Sequence, residues 1–174
     1  SGIIKCLKER YGKLLLHQRC TIHKDRNIQR HLPKKYRDEA HRRYRRAIEL
    51  KTYDDAKAEL LSFETWLRNI NESAADSLLE ALEEILTVHR LKVPEVLKRT
   101  LYSTNPTRAV FSQVAKMESN IKRYRNSKMS RRWLATCLLA AEKQFLTVKG
   151  FRSIPEVIKN IEREQINIDL KMAA

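Results

Sequence analysis

A mainly α fold with a single short β-strand is what this sequence predicts, and three observations predict it. Only three glycines and four prolines interrupt 174 residues, so few positions stop a helix or force a turn. Leu, Ala, Glu, Lys and Arg are abundant, and these residues lose least on entering a helix. Apolar side chains recur every three or four residues along most of the chain, as they do on a helix with one buried face. With 42% apolar residues the chain can bury a core in one or two packed units.

Ile3, Ile4, Leu7 and Tyr11 share one face of a first short helix, which Gly12 stops. Lys13 to Arg19 carries the run Leu14-Leu15-Leu16 and reads as a buried strand, the only one expected. Thr21 to His31 returns to the helical pattern, which Pro33 ends. Residues 36–50 make a strongly basic helix with Ala40, Tyr44, Ala47 and Ile48 inward. Thr52 caps the next helix, where Asp54 and Asp55 complement the helix dipole and Ala56, Leu60, Phe63, Leu67 and Ile70 are buried. A further helix over 73–88 presents Leu78, Leu79, Leu82, Ile85 and Leu86, and short turns imply antiparallel neighbours.

Pro94 opens a short helix ending near Leu101. Asn105-Pro106 is a cap followed by proline at the first helical position, where the missing N–H costs nothing. That helix runs through Val110, Phe111 and Val114 into Lys122, Arg123 and Arg125. Ser127 to Ser130 reads as a turn. Residues 131–146 read as an apolar helix with Leu138, Leu139 and Phe145, and Trp133 is placed in its core. Gly150 stops it, and Ser153 with Pro155 opens the last helix.

The net charge of +15 exceeds what packing or solubility requires and points to nucleic acid. Residues 1–50 hold 15 basic and 5 acidic side chains, and residues 96–152 hold 13 and 2. Residues 51–95 reverse the balance, 5 against 10, and are not expected to face DNA. Three cysteines, Cys6, Cys20 and Cys137, make no disulfide framework and fit a reducing, cytoplasmic compartment. The longest apolar-leaning run, Leu134 to Ala141, is too short to span a bilayer, the start lacks a signal-peptide layout, and no membrane partner is expected. The chain opens on Ser1-Gly2 without an initiator Met, so the natural protein is expected to extend further towards its N-terminus.

Three motifs carry chemistry. Cys20-Thr21-Ile22-His23 has the spacing of half a zinc site, but no second Cys or His pair follows, and no metal ligand set is assigned. Its plainer reading is a small buried cysteine and a hydrogen-bonded histidine where a strand meets a helix. Ser103-Thr104-Asn105-Pro106 is by itself a capped helix start. Lys122, Arg123 and Arg125, then Arg131 and Arg132, then Lys149 and Arg152 lie among Tyr124, Trp133 and Phe151. Basic residues interleaved with aromatics suit phosphate contacts with nearby stacking or packing, and these seven are the expected DNA-binding residues; the plainer alternative is a solvated helix face over core aromatics.

Together these segments resemble the Mutator-type family of insertion-sequence transposases. The family stretch Arg-Cys-x-x-His-Lys-x-Arg-Asn is matched by Arg19-Cys20-Thr21-Ile22-His23-Lys24-Asp25-Arg26-Asn27. Leu86-Thr87-Val88-His89-Arg90-Leu91, Ser103-Thr104-Asn105-Pro106, Arg132-Trp133 and Lys149-Gly150-Phe151-Arg152 look like further family positions, in order. The resemblance implies DNA transposition by an RNase H-like Asp-Asp-Glu enzyme, cut-and-paste or copy-out, in which carboxylates hold Mg²⁺ for strand transfer. It places Cys20, His23 and Asn105 in family motifs and implies three units: residues 1–33 as the end of the core, 34–100 as a helical insertion, and 101–174 as C-terminal core helices. Both aspartates would lie upstream, so the implied partners are transposon-end DNA, the upstream half of the transposase and a second subunit in a homo-oligomer.

The sequence departs from the family where metal would be held. The family reads Thr-Asn-Pro-Ile-Glu, and this chain reads Thr104-Asn105-Pro106-Thr107-Arg108. A guanidinium cannot ligate a cation, so no catalytic residue and no cofactor are assigned to this chain, although Mg²⁺ is expected for an intact family enzyme. Two functions follow: a DNA-binding transposase segment that does not cut DNA by itself, or a non-enzymatic helical DNA-binding or inhibitory module derived from a transposase.

Overall fold

The computed structural model describes residues 2–173, and among them every regular element is helical. Helix α1 spans Gly2–Tyr11, and a 3₁₀ turn follows at Gly12–Leu14. Helices α2 (Thr21–Arg30), α3 (Lys34–Glu49), α4 (Tyr53–Arg68) and α5 (Glu72–Glu80) each pack on two of the others and close a four-helix bundle. Its core stacks Ile28, Tyr44, Phe63, Leu67 and Leu78, all nearly inaccessible to solvent. Ala40, Tyr44, Ala47 and Ile48 form the buried face of α3. The Tyr44 and Phe63 rings meet at 6.4 Å, and Trp66 stacks on Phe63 at 5.9 Å.

The bundle helices begin where local chemistry starts them. Thr52 accepts from the Asp55 N–H at 3.1 Å, and Asn71 accepts from the Ala74 N–H at 2.9 Å, so each cap satisfies an orphan donor. The basic face of α3 is held by carboxylates. Arg42 and Arg43 both reach Glu39, Arg45 reaches Glu49, and Arg46 reaches Glu59 on α4.

The strand expected over Lys13–Arg19 is absent, because an isolated strand needs ladder partners that no other segment supplies. Residues 15–20 are irregular, and their polar groups bond to the helices beside them. The Arg19 N–H donates to the Glu84 carbonyl at 2.9 Å, and the Thr87 hydroxyl donates to the His17 carbonyl at 2.8 Å. Gln18 donates to the Ile85 carbonyl at 3.0 Å and accepts from the Val88 N–H at 2.9 Å. The Gln18 contacts also mark a corner in the helix that the sequence predicts here. The single helix expected over 73–88 is broken at Ala81 and Leu86 into α5, α6 (Leu82–Ile85) and α7 (Thr87–Arg90), and Gln18 occupies the corner where the last two meet. Leu79, assigned to the apolar stripe, is exposed.

A smaller core joins Val88, Leu91, Val93 and Leu97 to Val157, with α8 (Glu95–Leu101) and the last helix, α11 (Ile154–Ala173), supplying opposite sides. Asn160 donates to the Leu91 carbonyl, and Arg90 pairs with Glu164 at 3.2 Å. Gly150 has φ +79°, and a Cβ there would lie 2.9 Å from Val96 Cγ1, so glycine lets this turn approach α8.

Helices α9 (Asn105–Glu118) and α10 (Ser127–Glu142) form a hairpin whose main packing is mutual. The expected turn at Ser127–Ser130 is the first turn of α10, because Asn126 caps it by accepting from the Met129 N–H at 2.8 Å. Thr104 rather than Asn105 precedes α9, and the Asn105 N–H bonds the Ser103 hydroxyl at 3.3 Å. Trp133, placed in the core by the sequence, is 41% exposed, since the hairpin buries only its narrow seam of Val114, Cys137 and Ala141. Among the described residues no helix is long and apolar enough to cross a membrane.

Candidate functional site: the Cys-x-x-His corner and the basic hairpin

Two motifs 84 residues apart meet at one corner. Cys20 occupies the position before the first turn of α2, and His23 one turn later places Nδ1 at 3.1 Å from Cys20 Sγ. Thr104, at the head of α9, puts its hydroxyl 3.8 Å from that sulfur and 3.5 Å from His23 Nδ1. Thr21 fixes the junction, its N–H and its hydroxyl both donating to the Tyr102 carbonyl at 2.9 and 3.0 Å. Burial raises the Cys20 pKa, but the His23 and Thr104 N–H groups, the Thr104 hydroxyl and the Ile22 N–H outweigh it and hold the thiol below its ordinary 9.0. Thr104 belongs to the second motif, whereas Tyr102 lies just before it and carries no signal in the sequence.

The Leu86–Leu91 segment supports this corner from behind. His89 is buried with Nε2 at 3.2 Å from the Ile48 carbonyl, 3.0 Å from that of Leu50 and 3.2 Å from the Tyr102 hydroxyl. Two carbonyl acceptors require the Nε2–H tautomer. Desolvation, followed by the nearby Lys98, lowers the His89 pKa and keeps the ring neutral.

Arg108 lies one turn beyond Thr104, its N–H bonding the Thr104 carbonyl at 2.9 Å, and it is exposed. The residues there do not fit a divalent cation: α9 carries no carboxylate before Glu118, and no group of three or more His, Cys, Asp or Glu is arranged to hold a metal among the described residues.

The basic positions predicted for DNA lie along the hairpin and the turn before α11. Lys122, Arg123 and Arg125 sit in the segment joining α9 to α10, Arg131 and Arg132 on α10, and Lys149 and Arg152 on either side of Gly150. All seven are exposed, and none forms an ion pair among the described residues. Exposed Phe111, Trp133 and Phe151 lie in the same elements, with the Arg152 guanidinium 5.9 Å from the Phe151 ring centre. Asn105 lines a cleft bounded by α2, α3 and α8.

Comparison with known proteins gives one positive result. A family model described as transposase, Mutator family, matches residues 1–148. No curated protein and no solved structure matches the chain. The match takes in the Cys20–His23 corner and the whole α9–α10 hairpin, though not Lys149 and Arg152, and the chain belongs to the Mutator family of transposases.

Proposed function

We propose that this chain is a DNA-binding segment of an Asp-Asp-Glu transposase and serves DNA transposition without cutting DNA by itself. The observation that carries the reading is the set of seven exposed, unpaired basic side chains on the hairpin and the turn before α11. Such groups gain by replacing condensed counterions on a duplex, whereas a guanidinium already held by a carboxylate must first give that partner up. In this reading residues 1–33 end an RNase H-like core, 34–100 form the helical insertion, and 101–174 return to the core. The two metal-holding aspartates come from an upstream segment, and self-association and cytoplasmic location belong to the same proposal. Arg108 at the expected glutamate position is the reason for proposing inactivity, and no chemical step is routed through Mg²⁺ here. Arg108 also favours the second reading, an inhibitory module that occupies transposon ends without processing them.

Fluorescence anisotropy on a labelled duplex tests the proposal. Affinity falls steeply with added salt if Lys and Arg neutralise phosphates. No binding at low salt would overturn it for this chain, and Mg²⁺-dependent cleavage by the purified chain would overturn the inactivity.

A further inference from the structure

We propose that the cleft bounded by α2, α3, α8 and the turn into α9 is a pocket for one unstacked nucleotide at the end of a DNA strand, its phosphate held by Arg26 and Arg99. The inference rests on the DNA-binding reading above and names what this separate site takes. The cleft encloses about 830 Å³, within the size range of pockets for small organic ligands.

Apart from His41, the lining carries three guanidiniums and three carboxylates, so its formal charges balance, but of these six only Arg45 and Glu49 pair with each other. Three carboxylates line the cleft, and each already has a cationic or hydrogen-bonding partner. Asp25 is held by His41 Nδ1 at 2.6 Å and by the Gln29 amide at 2.8 Å, Glu49 by Arg45 at 2.5 Å, and Glu95 by Lys98 at 3.3 Å. Arg26 on α2 and Arg99 on α8 line the same cleft, are exposed, and form no ion pair among the described residues. Two spare guanidiniums on separate helices suit a phosphate, which accepts charge-assisted hydrogen bonds from both.

The rest of the wall suits a base better than a bare anion. Tyr44 lines the cleft at 2% exposure, and its hydroxyl has no hydrogen-bond partner. A buried hydroxyl left unpaired is destabilising, a cost that a phenylalanine in the same packing would avoid. Ile22 and Ile48 add apolar surface. Because His41 turns Nδ1 to Asp25, its Nε2 faces away from that pair, and with the Asn105 amide it offers both donor and acceptor capacity to a base edge. The cleft opens beside the head of α9, from which the chain leads into the basic hairpin, and this favours a strand end over a free nucleotide.

Titration of the intact chain with 2′-deoxyadenosine 5′-monophosphate, inorganic phosphate and deoxyadenosine, followed by NMR, tests the pocket directly. The nucleotide is expected to bind saturably and more tightly than either half alone. Tyr44→Phe should leave Tm unchanged or raised while weakening the nucleotide several-fold, and Arg26→Gln with Arg99→Gln should weaken it about tenfold or more. A duplex with a one-nucleotide overhang should bind better than a blunt duplex, and the arginine pair should abolish that difference while sparing blunt-duplex affinity. Absence of saturable nucleotide binding, or binding that ignores Arg26 and Arg99, overturns the pocket whether or not duplex DNA binds. Nucleotide binding without any overhang preference overturns the strand-end assignment. Loss of blunt-duplex binding in the native chain overturns the broader reading, with the nucleotide titration still deciding the pocket.

Discussion

The four-helix bundle α2–α5 and the α9–α10 hairpin are both rich in arginine and in large apolar residues, yet they use them in opposite ways. In the bundle, Arg42, Arg43, Arg45 and Arg46 are matched to Glu39, Glu49 and Glu59, and the rings of Tyr44 and Phe63 are buried. In the hairpin and its connecting segment, Arg123, Arg125, Arg131 and Arg132 have no ion partner among the described residues, while Phe111, Trp133 and Leu139 are exposed. Charge summed along a sequence window therefore does not locate a surface for nucleic acid. Residues 1–50 and 96–152 carry nearly equal net charge, but among the described residues Lys5, Arg19, Lys24, Arg42, Arg43, Arg45 and Arg46 of the first window are ion-paired and only Lys98 of the second is.

The largest expected effect separates the two regions by stability. Phe63→Ala removes a fully buried ring and should cost about 3–5 kcal/mol, whereas Phe111→Ala, at a position 52% exposed, should change stability by about 0.5 kcal/mol or less. Urea unfolding of both variants checks this, and equal losses would mean that the hairpin has a core of its own.

Next comes DNA affinity. Replacing Arg131 and Arg132 by alanine should lower the slope of log affinity against log salt by about 2, one for each lost phosphate contact. Replacing Arg42 and Arg45 by alanine should leave the slope nearly unchanged, because their guanidiniums are engaged by Glu39 and Glu49. Equal slopes for the two double variants would erase the distinction between spent and spare charge.

A smaller loss is expected at Gly150. Alanine there must hold φ near +79° and bring its methyl group to 2.9 Å from Val96, so Gly150→Ala should cost about 1–2 kcal/mol. Gly12 also has positive φ, at +54°, but a Cβ there meets nothing within 4 Å, so Gly12→Ala should cost less. Thermal unfolding ranks the two, and the reverse order would show that contact with α8 is unimportant.

What the sequence made legible was what local chemistry decides. The inward face Ala40, Tyr44, Ala47 and Ile48 follows from helical period, and the Thr52 cap follows from a hydroxyl three residues before a free N–H. The break at Leu86 was not legible, because there Gln18 reaches Ile85 and Val88 from some 70 residues away; nothing in the structure explains the break at Ala81. Leu14-Leu15-Leu16 has the composition of a strand, but composition cannot supply the neighbour that a strand needs. Tryptophan usually packs inward, and only the thin seam of a two-helix hairpin leaves Trp133 out. At the candidate site, Cys20, His23 and Asn105 were named from motifs, whereas the approach of Thr104 to Cys20 and the shared cleft of Arg26 and Arg99 exist only after folding.

The smallest effect concerns acid, and it too should distinguish the regions. The hydrogen bond and charge of Lys24, followed by Arg19, hold the Glu80 carboxyl below the ordinary 4.5 of a glutamate. Its folded pKa is depressed, so the stability it contributes is fully present above the unfolded value and is lost as pH falls through the folded one. Glu80 is largely exposed, so this loss should be about 0.2–1 kcal/mol. Glu80→Gln should flatten the stability profile below about pH 4.5 by that amount. Near pH 4 the hairpin's guanidiniums stay charged, so Glu80→Gln should leave the salt slope of DNA binding unchanged there while altering the unfolding midpoint. Parallel titrations of unfolding midpoint and DNA affinity check the pair of outcomes. A matching change in the salt slope would show that the bundle's ion pairs, and not only the hairpin, shape the DNA-binding surface.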